Sequence, residues 1–305
     1  MVVALTRSES HYEGVFKALE LLSDYIVNDM KYARTIMIKP NFVSTHVQLA
    51  ATHVDSVKAL MDFIYEYVGT RKILLAEGPA LGSLETGLRN FGYLKLAEEY
   101  DIEFFDLNMD TEYEVLEIYD RRLKRKVKVR VSKRALDADY RISICRPKTH
   151  DTVVVTLSIK NMVMGAVMGG DKPKVHQGYL AINMNIAELA KYLMPHLSVI
   201  DGYIGMEGNG PVSGTSKRWG IAIAGNKAVE VDAITAWLMG FNPKDVGYLY
   251  FLHKMGYGEI DPNKIRIIGE SPDLFKTRFI PHRTIKAQLK WIEGRERALE
   301  ILGLK

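Results

Sequence analysis

A chain of 305 residues with 47% apolar and 26% charged residues has a globular makeup, large enough for one big α/β domain or two intimate lobes. Its net charge of +4 and pI near 8.8 are too mild to argue for nucleic acid without a localised basic face. A single cysteine, Cys145, excludes an internal disulfide, a four-thiolate zinc site and an iron–sulfur cluster held by this chain alone, and points to a reducing cytoplasm.

No run approaches the ~20 apolar residues of a membrane helix. The opening MVVALTRSES lacks a basic region followed by a long apolar stretch, so it reads as a first strand of a soluble protein with no membrane partner. Residues 2–6 predict that strand, and Val15, Leu19, Leu22 and Ile26 at helical spacing predict a helix over 13–27. TIMIK at 35–39 predicts the next strand, ended by Pro40, so Lys39 and Asn41 fall at a strand's carboxyl end. Open α/β sheets put ligands there, although Asn after Pro is also common turn chemistry.

Thr52 reads as the N-cap of a helix with Val57, Leu60, Ile64 and Val68 on one stripe. KILLA at 72–76 predicts a buried strand running into Glu77, either a second strand-end site group or a helix-end cap, and Ser83 opens the following helix. After a strand at 102–106 the pattern changes to alternation with charges. This predicts an antiparallel β-hairpin insertion near residues 110–132, at the sheet edge. Lys126, Lys128 and Arg130 alternate with Val127, Val129 and Val131, which puts the charges on one solvated face. No aromatic residue interleaves the basic turn, so no nucleic-acid partner is expected.

The strand at 140–146 leads into a stretch, 143–178, that gathers Lys148, His150, Lys160, Asn161, Lys172, Lys174 and His176 among glycines and apolar residues. Burial there moves pKa values toward neutrality, which makes acids, bases and anion-binding groups. Lys148 and His150, two apart, project to one side of an extended backbone. TVVVTLSI at 152–159 reads as a strand or a buried helix, closed by Lys160 and Asn161. Lys172 and His176, four apart, share a face if a helical turn starts there and otherwise lie on a mobile loop.

A helix at 184–192 and a strand at 197–200 ending at Asp201 precede the loop IGMEGNGPVSGTSK. Backbone amides around Gly208, Asn209 and Gly210 are candidates for an anion nest. The strand at 219–225 that follows excludes a dinucleotide fingerprint, and the absence of GK[ST] excludes a P-loop. In the helix at 228–239, Asp232 sits among apolar residues, so it is either buried with a partner or the polar edge of the stripe. A strand from 265 and a C-terminal helix around Gly294 complete the chain; that helix docks on the core or on a second subunit, making a homodimer reasonable.

The segments KPNF (39–42), KTHDTVVVTLSIKNMVMG (148–165), Lys172, His176, VIDGYIGMEGNGPVSG (199–214) and AVEVDAITAWLMGF (228–241) resemble the family known as DUF362, in one order from about residue 39 to 258. That family is named for its lack of an assigned function. Some members carry ferredoxin-like iron–sulfur motifs, which this chain lacks, so the resemblance implies at most a separate redox protein partner. The histidines around a lysine are also similar in pattern to nickel-pincer lactate racemases, a likeness that carries no residue across. The expected organisation is a mostly parallel α/β sheet flanked by helices, one unit over 1–305 or two intimate lobes: 1–107, the hairpin 108–134, a site-bearing 135–270 and a C-terminal helix 271–305.

HExxH, CxxC, GxSxG and EF-hand patterns are all missing. What remains predicts an enzyme acting on a small anionic metabolite, phosphorylated or carboxylated. His150 and Lys160 are the catalytic candidates. Lys39, Asn41, Glu77, Lys148, Asn161, Lys172, Gly208, Asn209 and Gly210 are the substrate-binding candidates. A divalent metal is a further expectation, with His150, His176, Asp201 and Glu207 as ligands of a kind that suits zinc, iron or nickel. The alternative is a non-catalytic binding or accessory protein working with iron–sulfur partners.

Overall fold

Apolar side chains alternate along the strands, and the alternation feeds two cores on opposite faces of one sheet. In β1 (Val2–Arg7), Val3 and Leu5 join one core while Val2 and Ala4 join the other. In β2 (Ile36–Lys39), Met37 faces the first and Ile36 and Ile38 the second; in β3 (Ile73–Glu77), Leu74 and Ala76 oppose Ile73 and Leu75. The computed structural model describes residues 2–305. Its remaining strands are β4 (Ile102–Asp106), β5 (Tyr113–Tyr119), β6 (Lys126–Ser132), β7 (Tyr140–Cys145), β8 (Lys148–Thr149), β9 (Val155–Thr156), β10 (Leu197–Glu207), β11 (Thr215–Gly225) and β12 (Arg266–Gly269).

The main sheet runs β12-β1-β11-β10-β7-β2-β3-β4, with β8 and β9 hooked onto β10. Every pair on that path is parallel except the two that β11 makes, with β1 and with β10. One face is covered by α1 (Glu13–Leu21), α2 (Ser23–Tyr32), α3 (Val54–Tyr67), α4 (Leu84–Asn90) and α5 (Leu96–Glu99). The other carries α6 (Lys133–Asp137), α7 (Ser158–Ala166), α8 (Lys172–Val175), α9 (Tyr179–Leu193), α10 (Ala228–Leu238), α11 (Gly247–Lys254), α12 (Ile285–Gln288) and α13 (Arg295–Ile301). The mostly parallel α/β sheet with flanking helices is therefore the observed fold. Among the described residues no helix is long and apolar enough to cross a membrane.

Several elements differ from the sequence reading, each for a local reason. The helix expected over 13–27 is two, because the backbone at Leu22 (φ −100°, ψ −2°) leaves helical geometry. His53, not Thr52, caps α3: its Nδ1 accepts the Asp55 N–H at 3.2 Å. Thr52 instead ties the exit of β2 to β7, accepting from Asn41 N–H (2.8 Å) and donating to Ile144 O (3.0 Å). The hairpin β5–β6 is a separate two-stranded sheet, not an edge extension. It lies face-down on α9, with Ile118, Val129 and Val131 buried and Asn185 bonding both N–H and C=O of Tyr119.

The largest correction concerns 152–159. Only Val155 and Thr156 pair as a strand, and the chain turns into α7 at Ser158. The turn is forced by Asp232, a residue of α10 whose carboxylate accepts the N–H groups of Ser158 (2.9 Å) and Ile159 (3.0 Å) and so caps α7. The strand from 197 does not stop at Asp201 but continues to Glu207, so the glycine-rich segment is the tip of a hairpin with β11. The single C-terminal helix is broken into α12, a 3₁₀ stretch at Leu289–Gly294, and α13.

Candidate functional site

From β2 the chain builds outward to β3 and β4 on one side, while β7, on the other side of β2, leads to β10. The order therefore reverses between β2 and β7, and a crevice opens where the loops leaving their carboxyl ends diverge. A cleft of about 240 Å³ sits there. Its walls come from Asn41 and Phe42 after β2, Glu77 and Gly78 at the end of β3, His150 and Asp151 after β8, Thr156, the α7 residues Lys160, Asn161, Met164 and Gly165, then Lys172, His176 and Pro211.

Four lysines are buried around this cleft, and three are fully engaged. Lys39 Nζ donates to Glu77, to Asn161 Oδ1 (2.7 Å) and to Pro40 O (2.8 Å). Burial lowers its pKa and the Glu77 carboxylate opposes that shift. Its stem passes directly over α7 at Gly165, where a Cβ would lie 1.8 Å from Lys39 Cε. Lys148 Nζ donates to Asn41 Oδ1 and to Ala50 O (2.7 Å), with burial pushing it down to about 7. Lys172 Nζ collects three carbonyls from the end of α7: Met164 (2.7 Å), Gly165 (3.3 Å) and Val167 (2.6 Å). Burial pushes Lys172 down to about 7, with the Glu77 and Asp106 carboxylates opposing the shift. With Asp232 at its N-terminus and Lys172 at its C-terminus, α7 is held at both ends by side-chain hydrogen bonds, and burial pushes the Asp232 carboxyl up to about 7.

Lys160 is the fourth, and it differs. It is 7% exposed and lines the cleft, yet among the described residues its ammonium makes no hydrogen bond or ion pair. Burial pushes it down to about 8, with Asp151 opposing and Lys39 reinforcing the shift. Thr156 also lines the cleft, 2% exposed, with a buried Oγ1 that has no partner.

Both cleft histidines are held at Nδ1. His150 Nδ1 lies 3.0 Å from the Thr152 nitrogen and 2.9 Å from Asp151 Oδ1, so a donor and a carboxylate meet at one ring nitrogen and neither contact alone sets the tautomer. Burial pushes its pKa down to about 3. His176 Nδ1–H donates to Lys172 O (3.0 Å), leaving Nε2 as the lone-pair atom. The surrounding protein and then the Lys160 charge lower its pKa, although the ring is open to solvent on one side. Asp151 stays ionised: burial works against its charge, but His150, Lys160 and His282 together lower it to about 2. The His150 loop is rigid. Gln288, fully buried, donates to His150 O (2.7 Å) and accepts from Val154 N–H (2.6 Å), and Val154 is held at φ +68°, a region β-branched residues rarely enter.

Of the residues expected from sequence, Asn41, Glu77, His150, Lys160, Asn161, Lys172 and His176 meet at one cleft, with Lys39 and Lys148 packed behind it. The expected metal ligands do not assemble. Asp201 accepts from His11 Nδ1 (2.6 Å), and Glu207 accepts from Ile280 N–H (3.0 Å) and pairs with Lys217 (3.4 Å); neither lines the cleft. Among the described residues no group of three or more His, Cys, Asp or Glu is placed to hold a metal ion, so no metal-dependent step is derived from them. The anion nest is also absent: Gly208 N–H goes to Ile280 O (2.7 Å), Gly210 N–H to Gly208 O (2.9 Å), and Asn209 is exposed outside the cleft wall. Thr156, Asp151 and Gln288 were not singled out from sequence; only Asp151, next to His150, carried a signal.

Fold and site define an α/β protein with a small polar cleft at its switch point. The chain belongs to the family described as domain of unknown function (DUF362), whose profile matches residues 36–237. It is 27% identical over 265 residues to Thylakoid-associated protein sll1697 of Synechocystis sp., covering 83% of this chain and 79% of that protein. The lactate racemase apoprotein from Thermoanaerobacterium thermosaccharolyticum is similar in fold, with a TM-score of 0.50 at 16% identity over 73% of this chain. Only 54% of that racemase chain is covered, so this chain spans little more than half its length.

Proposed function

We propose that the protein is an enzyme that binds a small carboxylated or phosphorylated metabolite in the cleft between β2 and β7. The observation that carries this reading is Lys160, the one buried lysine of the four without an acceptor. Its ammonium faces the cleft with three donors that no protein group takes, and an anionic ligand supplies what the protein withholds. Thr156 Oγ1 offers a second open polar atom, and the apolar side chains of Phe42 and Met164 exclude water on the remaining walls.

At about 240 Å³ the cleft is smaller than the roughly 300–1,000 Å³ of drug-sized pockets. A ligand of a few heavy atoms fits that space. His176 Nε2 then serves as a proton acceptor, with neutral His150 lining the same wall. Lys39, Lys148 and Lys172 act as scaffold instead of contacting the ligand. The buried Cys145 and the lack of any other thiol agree with a reducing, cytoplasmic setting.

A thermal-shift panel of small carboxylates and phosphates tests the reading. A ligand at 100 times its Kd stabilises by about 2.7 kcal/mol, which for a chain of this length raises Tm by about 4 °C. The shift is expected in the wild type and lost in Lys160→Ala. A panel that leaves the wild-type Tm unmoved refutes the proposal.

A further inference from the structure

We infer that Lys160 is a nucleophilic amine that forms an imine with the carbonyl carbon of a small 2-oxo acid. This deepens the anion-site reading and rests on it. The argument is one of placement. Lys160 lies on the first turn of α7, nine-tenths buried, its amine facing a cleft and held by no acceptor. An amine tied to three carbonyls, as Lys172 is, has no lone pair to offer. Lys160 has nothing to surrender before it attacks.

The groups needed for the rest of the step line the same cavity. Starting from the ammonium, His176 Nε2 takes one proton and frees the lone pair. Nitrogen then bonds to the carbonyl carbon as the C=O π bond breaks and its electron pair moves onto oxygen. The oxygen takes the proton from His176 and a second from nitrogen, and leaves as water. One ammonium and one ketone become one protonated imine and one water, with no change of redox state. The nitrogen is positively charged at the start as the ammonium and at the end as the protonated imine, bonded to the carbon that bears the carboxylate, so a 2-oxo acid retains its counter-ion after the bond has formed. A simple aldehyde gains nothing from that arrangement. Thr156 Oγ1 remains open for a carboxylate oxygen.

The experiment incubates the whole protein with pyruvate or glyoxylate, adds sodium borohydride, and maps the product by intact and peptide mass spectrometry. Thermal shifts with pyruvate and with lactate, its non-carbonyl counterpart, are recorded in parallel. The expected result is one adduct per chain, heavier by one pyruvic acid less one oxygen atom. It lies on the peptide holding Lys160, is suppressed at least tenfold by excess lactate, and is missing from Lys160→Arg, whose retained thermal transition shows it folded. No adduct, or adducts spread equally over exposed lysines, overturns the inference. In that event a stabilising shift with lactate leaves the anion-site reading standing, whereas no shift with either compound removes both.

Discussion

Lys160→Met makes the protein more stable while removing its site. The reasoning starts from a folded-state pKa pushed by burial to about 8, against about 10.4 for a lysine in an unfolded chain. The unfolded state therefore binds more protons than the folded state between those values, and unfolding free energy rises with pH across that window. Below pH 8 the full cost of the buried ammonium is present, and at 1.36 kcal/mol per pH unit it amounts to about 3 kcal/mol. Methionine matches the stem and carries no charge, so at pH 7 the substitution is expected to raise stability by about 1–3 kcal/mol, the lower end allowing for partial exposure of the cleft. Urea unfolding at pH 7 and at pH 10 measures both the gain and its disappearance as the wild-type amine loses its proton. If Lys160→Met is destabilising at pH 7, or if the difference is the same at both pH values, the picture of an uncompensated buried cation is wrong.

The other predictions concern the supports of the site. Glu77→Gln and Lys39→Met each strand one member of a buried pair and are expected to cost about 3–5 kcal/mol singly. The double substitution should cost far less than the sum; a double-mutant cycle by urea denaturation measures the coupling, and additive costs would show that the two do not act as a pair. Asp232→Ala removes both acceptors at the start of α7 and leaves two buried N–H groups open, for an expected loss of about 2–5 kcal/mol. Amide hydrogen exchange should localise the opening to 157–163; uniform protection across α7 would contradict the capping role.

The strand ends were legible because hydrophobic periodicity fixes them: Lys39 and Glu77 follow apolar runs that stop at Pro40 and Gly78, and both sit where the sheet's carboxyl edge must be. The position of Lys160 was less so. TVVVTLSI has the β-branched content of a strand, and the carboxylate that turns its end into a helix lies 74 residues away on α10, beyond the reach of local propensity. Likewise, a lysine's partner is a tertiary fact. Sequence separates Lys160 as a catalytic candidate from Lys39, Lys148 and Lys172 as substrate-binding ones but assigns none of them an acceptor, whereas packing gives acceptors to those three and none to Lys160. Asp201 and Glu207 looked available because nothing in their neighbourhood foretold His11 or Lys217 as partners. Thr156 is one threonine within an apolar run, and only the cleft marks it.

Competitive labelling of amines with trace acetic anhydride over pH 6 to 11, read lysine by lysine by mass spectrometry, tests most directly whether Lys160 is the open cation of an anion site. Half-maximal reactivity of Lys160 near pH 8, at least two units below the exposed lysines, and protection by lactate are the predicted results. A Lys160 profile that follows the exposed lysines near pH 10.4 and ignores lactate contradicts the account.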